Sequence, residues 1–255
     1  MVKRLLTLVG LGLHDEKDLT LRGVEAAKQA DKAYIELYTS VWHGKAELEK
    51  IIGKKIEELK REDLEQHANK IIDEAKTKNI VIFVPGDPMI ATTHTMLIEQ
   101  AKKDNIEVNI VHNASMVSAI GETGLHIYKF AATATVPFPE KTKGKPPESV
   151  YNVIKMNKKA GLHTPLLLDI TPERSMTANE AMKLLLSIEE QRKEDVFTDD
   201  TKVVVFARAG SNKPSIVFGK VGKLKNKNFG EPPMVLIVPG ILHFTEKDYL
   251  MEFTS

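Results

Sequence analysis

Apolar residues recur along the chain in short runs separated by amphipathic stretches. Leu5 to Val9 is a mainly apolar run closed by Gly10-Leu11-Gly12. Ala33 to Leu37, Ile80 to Val84 and Val108 to Val111 repeat the form. Between the first two, Leu21, Val24 and Ala27 share one face of a helix that Asp18 or Thr20 can cap and that runs to about Ala30. Leu48, Ile51, Ile52, Ile56 and Leu59 recur at helical spacing, and further helices are expected over about Leu64 to Lys76 and Ala91 to Lys103. Continuously apolar strands alternating with helices predict a mostly parallel sheet covered on both faces.

The second half reads differently. Pro137 to Pro147 holds four prolines, three lysines and a glycine, so it is expected to be an exposed loop. A helix near Ser149 to Lys158, a strand at Leu166 to Ile170 and a long helix over about Thr177 to Arg192 follow. Lys202 to Phe206, Ser215 to Val221 and Met234 to Val238 are strand candidates too close together for helical crossovers, so part of this sheet should be antiparallel. The fold class is therefore α/β with two domains, residues 1–112 with a mostly parallel sheet and residues 113–255 with a mixed one.

Composition narrows the function classes. The 255 residues carry 36 basic and 35 acidic side chains, a net charge of +1, which gives no footprint for nonspecific nucleic-acid binding. There is no cysteine, which excludes disulfides, zinc–thiolate sites, iron–sulfur clusters and cysteine nucleophiles. Lys3-Arg4 before Leu5 to Leu13 resembles the front of a signal peptide, but charged residues follow and no small-residue cleavage site does. The run reads as a buried strand. No apolar run approaches the ~18 residues needed to span a bilayer, so a cytoplasmic protein without membrane contact is expected.

Two loops stand at expected strand ends. Gly10-Leu11-Gly12-Leu13 permits a tight turn and close backbone approach to a ligand, or simply a strand-to-helix turn. Asp15 stands where a dinucleotide fingerprint needs a third glycine, although Glu36 lies where a ribose-binding acid stands in such folds. Pro85-Gly86-Asp87-Pro88 presents Asp87 in a fixed geometry at the carboxyl end of a buried strand. Its carboxylate would suit a hydroxyl or an ammonium group, or would merely cap the next helix. Sited at a strand end and not in the core, Asp87 is expected to carry little of the fold's stability. His14, His94, His112, His126 and His163 lack a recognisable ligand spacing, so no metal is expected. Ser115 lacks the G-x-S-x-G elbow of a hydrolase. Arg208 ends a strand as either a site residue or a solvated terminus.

Several segments together resemble the diphthine synthases of the tetrapyrrole methylase superfamily. These are Gly10 to Leu13 with Asp15-Glu16, Thr39-Ser40, Pro85 to Pro88 with Ala91-Thr92-Thr93-His94, Asn113 to Ser118 and Gly121 to Phe130. Leu162-His163-Thr164, Met176 to Ala181, Phe197 to Asp200, Ala207 to Gly210, Val238-Pro239-Gly240 and Leu242-His243 extend the likeness over nearly the whole chain. The resemblance implies a class III methyltransferase fold: two α/β domains, S-adenosylmethionine in the cleft between them, S-adenosylhomocysteine as product, and a homodimer. It implies methylation of the amino group of a 3-amino-3-carboxypropyl histidine on translation elongation factor 2, in diphthamide biosynthesis. The compact chain resembles the archaeal type, which stops at the trimethylated product. Matching motifs carry the cofactor contacts to Leu13, Asp87, Ile90, Ser115, Met116, Leu168, Ala209 and Met234. Met234 departs from the family, which usually has histidine there, and Ala131 stands where glycine is common. No catalytic residue is assigned, because the sulfonium already activates the methyl group and alignment is the main requirement. The alternatives are another methylase of the superfamily, acting on a tetrapyrrole or ribosomal RNA, and a nicotinamide-dependent oxidoreductase, which the missing third glycine opposes.

Overall fold

A computed structural model describes residues 4–171 and 173–254; Lys3, of the signal-like start, lies outside them. The chain forms two compact units, Met1–Ser118 and Ala119–Ser255, and residues 113 to 118 belong to the first.

The first unit holds strands β1 (Leu5–Gly10), β2 (Lys32–Glu36), β3 (Ile56–Leu59), β4 (Ile80–Val84) and β5 (Glu107–Val111). They form one sheet in the order β3-β2-β4-β1-β5, every pairing parallel. The apolar strands divide their side chains between two layers. Leu6, Leu8, Ile80, Ile82 and Val84 pack with Ile71, Ile72, Leu97 and Ala101 of the helices Ala68–Ala75 and His94–Lys103. Val9, Ile35, Val81 and Phe83 pack with Ala27, Leu48 and Ile52 of Leu21–Gln29 and Lys45–Ile52. Each fully buried side chain of this size contributes about 1.5–3 kcal/mol, which is why the strands are apolar on both faces. Thr20 caps its helix as expected, its hydroxyl accepting the Gly23 amide at 3.0 Å.

One expectation fails instructively. Ile56 and Leu59 do not continue the helix of Leu48 but form β3. Gly53, at φ +73°, ends the helix, and its amide donates to the Glu49 carbonyl at 2.9 Å. Ile56 and Leu59 are buried while Glu57 and Glu58 are exposed, a spacing of three that imitates a helix face. The stretch from Leu64 is also two helices, Arg61–Glu65 and Ala68–Ala75.

The second unit holds β6 (Ala134–Val136), β7 (Thr164–Leu168), β8 (Lys202–Ala207), β9 (Ser215–Lys220) and β10 (Met234–Val238), in the order β6-β7-β10-β8-β9. Only β6 and β7 pair in parallel, so the mixed sheet is borne out. The expected loop from Pro137 is pinned by Phe138, which is fully buried beside β6. Helix Ala178–Arg192 begins in a capping box in which Glu180 accepts the Thr177 amide at 2.8 Å.

Near the end of that helix the Glu189 carboxylate is buried. It accepts Tyr151 Oη at 2.6 Å and the amides of Asp195, Val196 and Phe197 at 2.7–2.8 Å. Burial raises its pKa, but the Tyr151 hydroxyl and the three amides overrule burial and hold it at about 2. The stability it contributes is thus present above the usual carboxylate range and is lost as pH falls toward about 2. Glu189→Gln is expected to cost ~1–3 kcal/mol at pH 6 and to flatten the acid branch of a denaturant-midpoint curve. Equal acid slopes in the two proteins would contradict this role.

Candidate functional site

In an open parallel sheet, ligands meet the carboxyl ends of adjacent strands whose connections leave in opposite directions. β1 and β4 meet that condition: β1 leads toward β2 and β3, β4 toward β5. The loops after them are laced together. Gly12 and Gly86 pair backbone to backbone, with Gly86 N donating to Gly12 O at 2.8 Å and Gly12 N to Gly86 O at 3.2 Å. A Cβ on Gly10 would lie 2.6 Å from the Gly86 carbonyl and 2.7 Å from Asn113 Cβ. The glycines therefore serve close packing of loop on loop as well as turning. Asn113 Nδ2 donates to the carbonyls of Gly10 and Asp18 at 2.9 and 3.0 Å. Asp18, expected only as a helix cap, accepts the Leu13 and His14 amides at 3.0 and 2.7 Å. Leu13 is half-buried on this braced turn.

Asp87 is 6% exposed and ties two loops together. Its Oδ1 accepts the Met89 amide at 2.8 Å; its Oδ2 accepts the Asn113 amide at 3.1 Å and His112 Nδ1 at 2.8 Å. Burial would raise the pKa, yet these two amides and the imidazole hold it below its ordinary value. Asp87 is therefore ionised, and Oδ1 keeps a lone pair for a further donor. The expectation that it bears little of the fold is corrected, because two backbone amides depend on it. Ile90 is well exposed on the same loop, before Ala91 at φ +53°. Ser115 is buried against Gly86, whose added Cβ would stand 3.4 Å from Ser115 Cβ. Its amide and carbonyl bond Ser118 Oγ at 3.0 and 2.8 Å, and Met116 follows half-buried. Leu13, Asp87, Ile90, Ser115 and Met116 are thus placed on three loops at one edge of one sheet.

Leu168, Ala209 and Met234 lie together at one end of the second sheet. Met234 pairs with Ala207, and its neighbour Val235 pairs with Leu167, the residue before Leu168. Met234 is 7% exposed within the apolar cluster, surroundings that suit a thioether better than an imidazole. Arg208, at φ +55°, donates through its amide to Pro233 O at 2.8 Å and through its guanidinium to the carbonyls of Lys213, Phe229 and Glu231. It organises the turn before Ala209, a role the sequence had left open.

Other sequence candidates resolve as structure. Glu36 is fully buried and so cannot meet a ribose. His163 and His126 attend the buried Glu246, with His163 Nε2 at 2.9 Å and the His126 amide at 2.8 Å from Oε1. Among the described residues no group of three or more His, Asp or Glu could hold a metal ion. Within them, too, no helix is long and apolar enough to cross a membrane.

The tetrapyrrole (corrin/porphyrin) methylase profile matches residues 5–225. The chain is 50% identical over 252 residues to a diphthine synthase of Methanocaldococcus jannaschii, spanning 96% of this chain and 97% of that one. It is likewise 50% identical to a diphthine synthase of Methanococcus aeolicus, over 96% of both chains. The chain belongs to the diphthine synthase family of tetrapyrrole methylases. A crystal structure of a diphthine synthase superposes with a TM-score of 0.89 at 40% identity, over 98% of this chain and 96% of that one. Membership in the diphthine synthase family makes the protein an S-adenosylmethionine-dependent methyltransferase and disposes of the nicotinamide alternative. The donor set is compatible with such a cofactor: an ionised carboxylate with a spare lone pair for a hydroxyl or ammonium, and apolar Leu13, Ile90 and Met116 for an uncharged nucleoside.

Asp87→Ala leaves the Met89 and Asn113 amides without their acceptor. In the absence of ligand it is expected to lower unfolding free energy by ~1–3 kcal/mol. An unchanged denaturation midpoint and slope would show that the loops do not need the carboxylate.

Proposed function

We propose that this protein methylates the amino group of the 2-(3-amino-3-carboxypropyl)histidine intermediate of translation elongation factor 2, adding three methyl groups to give diphthine. The likeness to curated diphthine synthases over nearly the whole chain carries this reading. Elongation factor 2 is its protein substrate, the cytoplasm its place of work, and a homodimer its assembly, as two-fold homodimers are the commonest oligomers.

Leu13, Asp87, Ile90, Ser115 and Met116 in the first unit, with Leu168, Ala209 and Met234 in the second, take the cofactor. S-adenosylmethionine supplies a methyl group already activated by the positive sulfur. The protein's task is alignment, which can lower a barrier by ~7–11 kcal/mol in favourable cases. Asp87 Oδ1 orients a hydroxyl or ammonium group of the bound molecule. The apolar side chains of Leu13, Ile90 and Met116 exclude water. A dry environment favours the neutral form of the accepting amine, which is the nucleophilic form. Each transfer turns the neutral amine into an ammonium, which must lose a proton to solvent before it accepts the next methyl group; no residue is assigned as a base.

Two measurements test this. S-adenosylhomocysteine at 100 times its Kd is expected to stabilise the fold by about 2.7 kcal/mol, while NAD leaves the melting temperature unchanged. Intact-mass spectrometry of elongation factor 2 bearing the intermediate is expected to show three methyl increments on the modified histidine after incubation with S-adenosylmethionine. A fourth increment would indicate ester formation as well. No increment with cofactor binding intact would move the substrate to another class.

A further inference from the structure

The first unit buries two ionisable side chains that cofactor binding leaves without a task. Glu36, the last residue of β2, is fully buried, and His94, the first residue of helix His94–Lys103, is 2% exposed. His94 Nδ1 lies 3.0 Å from the Pro88 carbonyl and 2.6 Å from Thr92 Oγ1. A carbonyl only accepts, so Nδ1 carries the ring proton and Nε2 is a bare acceptor. That Nε2 is buried without a hydrogen-bond partner. Glu36 Oε1 stands 3.9 Å away.

An ionised Glu36 would turn negative charge toward a nitrogen lone pair in a dry interior. A carboxylic acid would instead supply the missing donor after closing by about 1 Å. The Thr39 hydroxyl donates to both carboxyl oxygens, at 2.8 Å to Oε1, the oxygen nearer His94, and 2.9 Å to Oε2, and either oxygen can accept it while Oε1 carries the acid proton. Burial pushes the Glu36 carboxyl up to about 7, against the opposing effects of Thr39, Arg61 and the Tyr38 amide. Burial also lowers the His94 pKa, which favours the neutral ring. The titratable groups facing the pair from neighbouring elements are Arg61 of helix Arg61–Glu65 and Tyr38, whose phenol burial keeps protonated.

We propose that Glu36 is a positioning residue: as a carboxylic acid it donates to His94 Nε2, and the imidazole so oriented donates from Nδ1 to the Pro88 carbonyl, fixing the loop that carries Asp87 and Ile90. This rests on the reading that the loop takes S-adenosylmethionine. The sign of the pH effect follows. The donor is present below about 7 and is lost as pH rises through that value, so the loop and its ligand affinity weaken on the alkaline side.

The test compares the intact protein with Glu36→Gln, whose amide donates at every pH, and Glu36→Ala, which cannot donate. Amide exchange at Gly86, Asp87, Met89 and Ile90 is measured at pH 6 and pH 8.5 and corrected for intrinsic rates. Calorimetry gives the Kd for S-adenosylhomocysteine at the same pH values. The unsubstituted protein is expected to lose about tenfold in loop protection and in affinity, the effect of a one-unit pKa difference. Glu36→Gln should hold both, and Glu36→Ala should be weak at both pH values. His112 also reaches this loop through Asp87. Glu36→Gln keeps His112, so a pH response common to both proteins belongs elsewhere and overturns the proposal. So does pH-independent protection in the unsubstituted protein. Should Glu36→Gln fail to fold, His94→Asn serves: it keeps a donor for Pro88 O, lacks Nε2, and should hold the loop without a pH response. Absence of S-adenosylhomocysteine binding at either pH would defeat the cofactor reading, while loop exchange would still decide the role of Glu36.

Discussion

The loops that follow β1 and β4 approach each other so closely that only backbone fits between them. Gly12 and Gly86 exchange two hydrogen bonds, and a Cβ on Gly10 would collide with the Gly86 carbonyl. This approach costs the chain side-chain packing at this end of the sheet, and polar side chains offset the loss. Asn113 holds the first loop through two carbonyls, Asp18 gathers two of its amides, and Asp87 gathers the second loop and the segment after β5. Carboxylate acceptors that meet backbone amides make strong bonds because the hydrogen bond is charge-assisted. The loops are thereby fixed before any ligand arrives, which is what a reaction governed by alignment requires.

The second unit reaches a fixed strand end by other means. Its sheet is mostly antiparallel, so neighbouring strands bring unlike ends together, and register sets Met234 beside Ala207 and Val235 beside Leu167. Arg208 takes a left-handed backbone conformation and holds three carbonyls with its guanidinium. Most of the charged side chains that matter here organise backbone and perform no chemistry. That agrees with a methyl transfer in which the donor arrives activated and the acceptor needs only to be neutral and aligned.

Much of this was legible in the sequence, for physical reasons. Strands buried on both faces must be apolar throughout, so β1 and β4 announced themselves, as did the Thr20 cap. The close spacing of β8, β9 and β10 left no room for crossovers and so required antiparallel pairing. β3 was hidden because an edge strand exposing Glu57 and Glu58 spaces its buried residues like a helix, and the Gly53 break was the available signal. β6 was hidden by brevity, and helix Phe244–Met251 by a sequence with little amphipathic contrast. At the candidate site, motif resemblance named Asp87 but not its partners, since the contact with Asn113 joins residues 26 positions apart. The facing of Glu36 and His94 was likewise invisible, because neither residue is informative without the other.

The most direct test of the account is a crystal structure of the protein with S-adenosylhomocysteine. The expected result is density for the ligand against Leu13, Asp87, Ile90, Ser115 and Met116, with a polar group of the ligand on Asp87 Oδ1. Density elsewhere, with the loops after β1 and β4 untouched, would contradict it.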